Sequence, residues 1–458
     1  MSDVSLEKIV SLCKRRGFVF PSSEIYGGFA ATYDFGPLGF LLKKNIELAW
    51  RAWNVGMRDD MVEIEGAIFM HPKVWEASGH VGGFADLLVE DLKTHKRYRA
   101  DHLLEEAHIV ENAGSLKPEQ IDELIQKHNL KSPDGNPLSE AKRFNLLVKT
   151  HLGPVEDETT VAYLKGESCQ NIYVDYKAVL DSMHLKLPFG IAQIGKAFRN
   201  EITVKSFLFR TREFEQMDVQ YFCKPEDADK YYEEWKQNRW DFYTAFLGFA
   251  SENVRWRQHD PDERAFYAKD AWDVEFKFGE LGFKEIEGVH HRGSYDLDQH
   301  SKFSGQDLSY FDQETGRRFN PFIIECSGGF NRLFLAALFE FYREEEDRTV
   351  LALPAKLAPY KAAVFPLLRN KPELVAKAGE VHAELKKHFN VAWDDRGNIG
   401  KRYYSQDEIG TPFGITIDFQ TLEDNTVTIR DRDTAEQKRV AITDLVSNIY
   451  QAVFNIDR

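Results

Sequence analysis

FRNEITVKSFLFRTREFEQMD, from Phe198 to Asp218, decides how this 458-residue chain is read. Two basic-aromatic clusters, Phe198-Arg199-Asn200-Glu201 and Phe209-Arg210-Thr211-Arg212-Glu213-Phe214, flank a short apolar turn. Glu213, Glu215 and Asp218 form an acidic run beside them. A strand, a loop and a returning strand place Arg199, Arg210 and Arg212 around one volume, with Glu201 and Glu215 close by. Converging guanidiniums suit a triphosphate, because each presents a planar fork of donors to phosphate oxygens. An aromatic ring in the same loop offers a face to a purine. A surface hairpin with cross-strand Arg–Glu pairs has the same local pattern, so a second constellation must decide.

That second piece is NPFIIECSGGFNR, Asn320 to Arg332, followed by LFLAALFEFY. Pro321-Phe322-Ile323-Ile324 reads as a short buried strand. Ser327-Gly328-Gly329 is expected to break it, and Leu333 to Tyr342 has the apolar content of a buried helix. A strand, a Gly-Gly turn and a helix N-terminus let backbone approach a nucleotide closely. Glu325 ends the strand and Arg332 sits in the helix's first turn, so both are expected to face that place.

Together, FRxE, the arginine loop and GGxxR resemble motifs 2 and 3 of class II aminoacyl-tRNA synthetases, whose active site is an antiparallel sheet. Six segments narrow the resemblance: Arg15 to Gly39 (RRGFVFPSSEIYGGFAATYDFGPLG), HPKVWEASGH from His71, YRADHLLEE from Tyr98, GPVED from Gly153, REFEQMD from Arg212, and IGKRYYSQDEIGTPF from Ile399. Their order and joint presence are similar to glycyl-tRNA synthetases of the homodimeric type, over nearly the whole chain.

The resemblance implies an α+β catalytic domain built on an antiparallel sheet, followed by an α/β anticodon-binding domain. It implies two steps, glycyl-adenylate formation from glycine and ATP, then transfer to a glycine tRNA. Arg199 is implied to hold the α-phosphate and the glycine carboxylate, as the residue nearest to catalytic. Arg210 and Arg332 then bind the outer phosphates and Phe214 stacks on adenine. Asn200, Glu201, Phe209, Thr211, Arg212, Glu213, Glu285, Ile286, Gly329, Phe330 and Asn331 complete the implied ATP site. Glycine falls to Arg99, Glu167, Phe214, Glu215, Gln216, Met217, Asp218, Glu325, Cys326, Ser327, Gly328 and Gly329. Glu285 and Glu325 are the carboxylates for Mg2+, a hard cation that prefers oxygen ligands. The chain departs from the family at Gly166-Glu167-Ser168-Cys169-Gln170-Asn171, usually Pro-Glu-Thr-Ala-Gln-Gly, and at Glu325-Cys326-Ser327, usually Glu-Pro-Ser. The acids survive both departures.

Two other readings stand beside this one. A non-enzymatic binding protein on the same scaffold, like the accessory subunit of mitochondrial DNA polymerase, is expected to lose the motif arginines, yet Arg199, Glu201, Glu325 and Arg332 are present. A class II synthetase of another specificity is disfavoured by RADH, REFEQMD and the retained acids.

Composition is consistent with the resemblance. The length suggests two or three domains, and no run of 18 apolar residues is present to span a membrane. The N-terminus, MSDVSLEKIV, lacks an apolar h-region, which argues against secretion. Cys13, Cys169, Cys223 and Cys326 are isolated, so a reducing cytoplasm is expected and disulfides are not. Asp91-Leu92-Lys93-Thr94-His95-Lys96 stands where some relatives carry a CxxC zinc element, so no zinc is expected. Adjacent His290 and His291 diverge, and no metal role is expected of them. The formal charge of −15 argues against nucleic acid. Residues from Ala355 onward carry 15 basic and 15 acidic groups, however, so the deficit lies entirely in the first 354. Screening confines fields to roughly 10 Å, which leaves room for a local basic groove.

For organisation, helices are expected over Ser5–Arg16 and Pro37–Met57, then a strand over Met61–Phe69 that stops before Pro72. A helix, a strand and a proline in that order resemble the dimer-forming motif 1, with Pro72 as its proline. The catalytic domain is expected to occupy residues 1–353, with a helical insertion at about 101–150 and a second at about 224–280. The aromatic stripe from Lys224 to Trp256 is read as core. After a boundary at Leu353 to Pro359, a small domain over 355–458 alternates strands and helices: Ala362–Leu368, a helix through Lys387, Phe389–Asp395, a helix after Ser405, Gly414–Asp418, Thr426–Arg432, and a helix over Ile442–Phe454.

Overall fold

The computed structural model describes residues 4–110, 113, 116–202, 207–260, 264 and 269–454. Part of the turn expected between Arg199 and Arg210 lies outside them. The first domain is built on a sheet of strands β1 (Met61–Glu63), β2 (Phe189–Phe198), β3 (Glu213–Cys223), β4 (Val254–Gln258), β5 (Asp270–Lys277), β6 (Phe283–Gly293) and β7 (Phe322–Gly329). Their order is β4-β5-β6-β7-β3-β2-β1, antiparallel throughout except for the β1–β2 pair.

Alternation along the strands gives the sheet two faces. One face presents Met217, Val219, Tyr221, Val274, Phe276, Ile286, Val289, Ile324 and Cys326 to the main core. Helices α1 (Leu6–Arg16), α2 (Pro37–Arg51), α4 (Ala228–Asp241) and α6 (Phe330–Phe341) contribute the rest of that core. On the other face, α3 (Cys169–Ser182) and α5 (Tyr295–Ser304) cover only one end, burying Tyr173, Tyr176, Phe189, Phe222, Leu297 and Ile323 together. The uncovered end is the cleft described below.

The helix starts follow local chemistry. Ser5 caps α1, its hydroxyl accepting from the Lys8 N–H, and Pro37 opens α2 at its first turn. Beyond Arg51 the helix runs on as a π-turn to Gly56, close to the expected end at Met57. Pro72 opens a six-residue helix, Pro72–Ala77.

Four expectations differ from what is seen. Met61–Phe69 is two strands rather than one: Met61–Glu63 belongs to the large sheet, and Phe69–Met70 pairs with Val161–Leu164 in a small one. The first insertion is not purely helical. It starts earlier, with Ala85–Glu90 pairing to Arg97–Arg99 and Lys142–Asn145, and the helices Ala100–Glu106 and Pro118–His128 pack on that small sheet. The segment 224–280 is not a separate excursion, because 254–258 and 270–277 extend the large sheet. Its aromatic stripe is core, as Tyr232, Trp235, Phe242, Tyr243 and Phe246 are buried. Finally, Gly328 and Gly329 do not turn. Both lie in β7 opposite Met217 and Gln216, and a Cβ at Gly328 would stand 3.2 Å from the Met217 Cε.

The second domain has its own five-stranded sheet, in the order 391–393, 362–366, 413–417, 426–431, 437–441. It buries a separate core with helices Pro372–Leu385 and Leu445–Phe454. The helix expected after Ser405 instead spans Ile399–Asp407, because Asn398 caps it with its side chain on the Lys401 N–H. No helix among the described residues is long and apolar enough to cross a membrane.

Space at the start of α2 is a sharp constraint. A Cβ on Gly39 would lie 1.8 Å from the Phe18 carbonyl oxygen, a backbone atom with little freedom to yield. Gly39→Ala should therefore lower the melting temperature by about 1–4 °C, since overpacking of this kind costs about 1–3 kcal/mol and a domain of this size shifts by little more than about 1 °C per kcal/mol. A calorimetric scan matching wild type would show that this approach is not needed for stability.

Candidate active site

The open end of the sheet forms a cleft of about 280 Å³. Its outer part is lined by Arg199, Glu201, Phe209, Arg210, Thr211, Phe214, Glu285, Gly329, Asn331 and Arg332, and its inner part by Glu167, Cys169, Gln216, Gly288, His290, Arg292, Glu325 and Ser327. Period-two geometry selects these residues. Phe214, Gln216 and Asp218 share a face on β3, and Glu325, Ser327 and Gly329 share it on β7. On β6 the register shifts opposite Val274 and Glu275, which pair with Glu287 and Glu285 and leave Ile286 as the extra, bulged residue. Glu285 then reaches the cleft while Ile286 is buried in the main core.

At the outer end the cations are held by backbone oxygens as well as acids. Arg199 Nε donates to the Gly166 carbonyl at 3.0 Å, and its guanidinium lies 5.0 Å from the Phe84 ring centre and 5.2 Å from that of Phe214. Arg332 donates to the carbonyl oxygens of Phe209 and Glu285 at 3.3 and 3.0 Å, and pairs with the Glu285 carboxylate at 3.0 Å. The Arg332 charge holds the Glu285 pKa below the usual range against the effect of burial. Asn331 bonds the Thr211 hydroxyl at 3.3 Å, joining the helix start to the arginine loop.

The inner end is a nest of buried charge. Burial alone would raise the Glu325 pKa, but Arg292 and His290, each donating to Oε2 at 2.8 Å, hold it down to about 2. Gln220 occupies the other oxygen at 3.1 Å. Burial likewise opposes Glu167, which His80, Arg292 and Gln170 nevertheless keep well below the ordinary carboxylate range. Asp218 is the opposite case. It is fully buried, and neither carboxylate oxygen has a hydrogen-bond partner among the described residues. Burial raises its pKa well above normal, Glu325 and Glu167 add to the rise, and neighbouring Ser327 and Lys165 offset it only in part.

Several residues named from the sequence point elsewhere. Glu215 faces away from the cleft, on the main-core side, and bonds Lys43 at 2.6 Å; Glu213 pairs outward with Lys196. Met217, Cys326 and Phe330 are main-core residues, and Gly328 faces Met217 and Glu287 on that side. These residues follow the strand's alternation, which the expected cluster of acids ignored. Arg212 turns back, its Nε on the Glu201 carbonyl at 3.1 Å, and Asn200 offers its backbone N–H to Leu146. Arg99 is committed to Asp86 and Asp101 in the small sheet beside the cleft. Glu325, with three donors already on its oxygens, is a poor cation ligand, which leaves Glu285 alone of the two carboxylates named for Mg2+.

Sequence reasoning missed Gly288, His290, Arg292 and Cys169. Arg292 could have been found by counting in steps of two from Gly288 through His290. Cys169 is the first residue of α3, in the stretch that departs from the family pattern.

Comparisons with known proteins agree with this geometry. Residues 154–342 match the tRNA synthetase class II core domain (G, H, P, S and T), and residues 361–451 match an anticodon binding domain. The chain is 47% identical to a glycine–tRNA ligase of Treponema denticola, over 99% of this chain and 98% of that one. It is 45% identical to one of Borreliella burgdorferi strain B31, over the same shares, and 47% identical to one of Streptomyces coelicolor over 96% and 97%. With both domains matched and similarity running through nearly the full length, the chain belongs to the glycine–tRNA ligases, a family of class II aminoacyl-tRNA synthetases.

Proposed function

We propose that the cleft joins glycine to ATP and passes the glycyl group to the 3′ end of a glycine tRNA in the cytoplasm. One observation carries the residue-level reading. A fully buried carboxylate, Asp218, shares a strand face with Gln216 and pairs in register with Ser327, both of which line the inner end of a cleft whose outer end gathers Arg199, Arg210 and Arg332. An ammonium group satisfies the first, and phosphates satisfy the second. Glycine binding would ionise Asp218, with Glu167, Gln216 and Ser327 beside it. The inner lining is polar and charged, apart from Cys169 and Gly288, and offers no apolar recess for a side chain. Larger amino acids are excluded by steric overlap, which needs no editing site.

In the first step a glycine carboxylate oxygen attacks the α-phosphorus in line, the bond to the β-phosphate oxygen breaks, and pyrophosphate leaves. Arg199 neutralises charge at the reacting phosphorus, Arg210 and Arg332 hold the outer phosphates, and Phe214 offers its ring to adenine. In the second step a ribose hydroxyl of the tRNA end attacks the glycyl carbonyl and AMP leaves. Positioning and charge neutralisation do the work, without a nucleophilic side chain. Ligases of this class consume ATP with a divalent cation. Mg2+ would be held by Glu285 and would neutralise phosphate charge when bound. The domain beyond about residue 355 would read the anticodon, gripping unpaired bases. Exposed Phe40 and Leu48 on α2, with Ile68 and Phe69, support a two-fold interface between copies.

Four outcomes test this reading. Across a panel of amino acids, ATP–pyrophosphate exchange should require glycine. Arg199→Ala should lower that exchange by about 10²–10³, the usual worth of an oxyanion-type contact, and a loss under about threefold would remove Arg199 from the reacting centre. Asp218→Asn should raise the KM for glycine by at least about tenfold with the KM for ATP little changed, because a charged hydrogen bond is worth about 1.5–3 kcal/mol. Equal effects on both would point to a structural part for Asp218. Light scattering should give about twice the 52.9 kDa chain mass. A single-chain mass at micromolar concentration would refute the dimer.

A further inference from the structure

Where β5 and β6 meet the inner edge of the cleft, three metal-ligating side chains converge. Ligand atoms of His259, Asp273 and His290 all lie within 4.8 Å of one another. His259 Nε2 and Asp273 Oδ2 are 2.8 Å apart, and the two imidazoles stand 5.9 Å apart at 65°. Gly288 pairs with Asp273 across the ladder and is two residues from His290 on the same face. A Cβ there would lie 2.8 Å from the Cε1 and Nε2 of His290 and 3.6 Å from Asp273 Oδ1. The absent side chain is what lets the carboxylate and the imidazole approach.

The orientation is also prepared. His290 Nδ1 is bound to Glu325 Oε2 at 2.8 Å, which leaves Nε2 as the ring nitrogen for the Asp273 side. A carboxylate behind a ligating histidine fixes its tautomer and raises its basicity. Glu325 is itself locked by Arg292 and Gln220, so the His290 ring is held from behind. The competing cation is Arg257, 3.6 Å from Asp273 Oδ2, and Glu285 adds negative charge nearby.

We infer that His259, Asp273 and His290 bind one divalent cation of the zinc–cobalt type, through two imidazole nitrogens and one carboxylate oxygen. This donor set suits Zn2+ or Co2+, whereas Mg2+ prefers oxygen alone. Bonds of about 2.0–2.2 Å in a tetrahedron put ligand atoms about 3.3–3.6 Å apart, so on binding the wider separations close by up to about 1 Å while the 2.8 Å His259–Asp273 pair opens by about 0.5 Å. The ion replaces the proton shared by His259 and Asp273 and ties β5 to β6. Of the residues around it, Gly288 and His290 also line the cleft. This is not the cation that accompanies ATP, which belongs with Glu285 and the phosphates.

The test is a Co2+ titration of the full-length protein after chelator treatment, read by visible d–d absorption. One equivalent should produce the intense bands of four-coordinate Co2+, and stoichiometric Zn2+ should bleach them. His259→Gln and Asp273→Asn should each weaken Co2+ binding by at least about tenfold. Asp273→Asn also disturbs Arg257, so His259→Gln is the cleaner variant, with melting curves as the folding control. Absence of the bands in wild type, or equal affinity in the folded His259→Gln protein, overturns the site. Displacement of Co2+ by millimolar Mg2+ also overturns it, because the residues would then belong to the nucleotide's metal.

Discussion

The pairing of β3 with β7 is the constraint on which the rest depends. Its register sets Gln216 opposite Gly329, Asp218 opposite Ser327 and Gln220 opposite Glu325. Gln220 donates to Glu325 across one pair and Gln216 gains space from Gly329 in another, whereas Asp218 faces Ser327 without the compensation it needs as an anion. A slip of one residue would exchange this polar face for Met217, Val219, Ile324 and Cys326, sending carboxylates into the core and apolar side chains into the cleft. The main core, which buries that second face against α2, α4 and α6, therefore fixes the site as firmly as any contact within it.

This explains which parts of the site could be read from the chain. The arginine loop and the strand before α6 were legible because residue types cluster there in short order. Glu215, Met217 and Cys326 misled because proximity in sequence was read as proximity in space, although neighbours on a strand face opposite ways. Ile286 misled for a different reason: it is itself the extra residue of a bulge, which changes which side chain reaches the cleft, and nothing local in Glu285-Ile286-Glu287 announces it. The extent of the sheet was illegible at its edges too. Val254–Gln258 is five residues of mixed polarity that become a strand only because β5 lies alongside.

Energetics separate the two kinds of carboxylate at the inner end. Glu325 is ionised at neutral pH because Arg292, His290 and Gln220 replace its water; losing any one donor would leave a buried charge short of partners, the costly outcome for such pairs. Its stabilising contribution is present above the ordinary glutamate pKa and is lost as pH falls toward about 2. Asp218 lacks that compensation, and burial favours its neutral form. A cationic ligand reverses this preference, so part of the binding energy for an ammonium group goes into ionising the carboxyl. Such a group responds to ligand charge, because only a cationic ligand makes the ionised form favourable against burial.

The join between the domains follows a different logic from the site. Leu353, Leu357 and Ile409 enter the main core, so the linker is anchored by apolar burial. Around it the contacts are polar: Arg16 bonds Ser405, Arg15 and Arg16 pair with Glu408, and Arg348 bridges Asp407 and the Arg432 carbonyl. Asp407 is also gripped by both terminal nitrogens of Arg430, so a single buried carboxylate connects Arg348, just before the linker, to the second sheet. An apolar anchor with a polar surround resembles interfaces that hold position while tolerating small rotations. For a chain whose cleft must meet one end of a tRNA while the second domain meets another, that apolar anchor ties the second domain to the same core that positions the cleft.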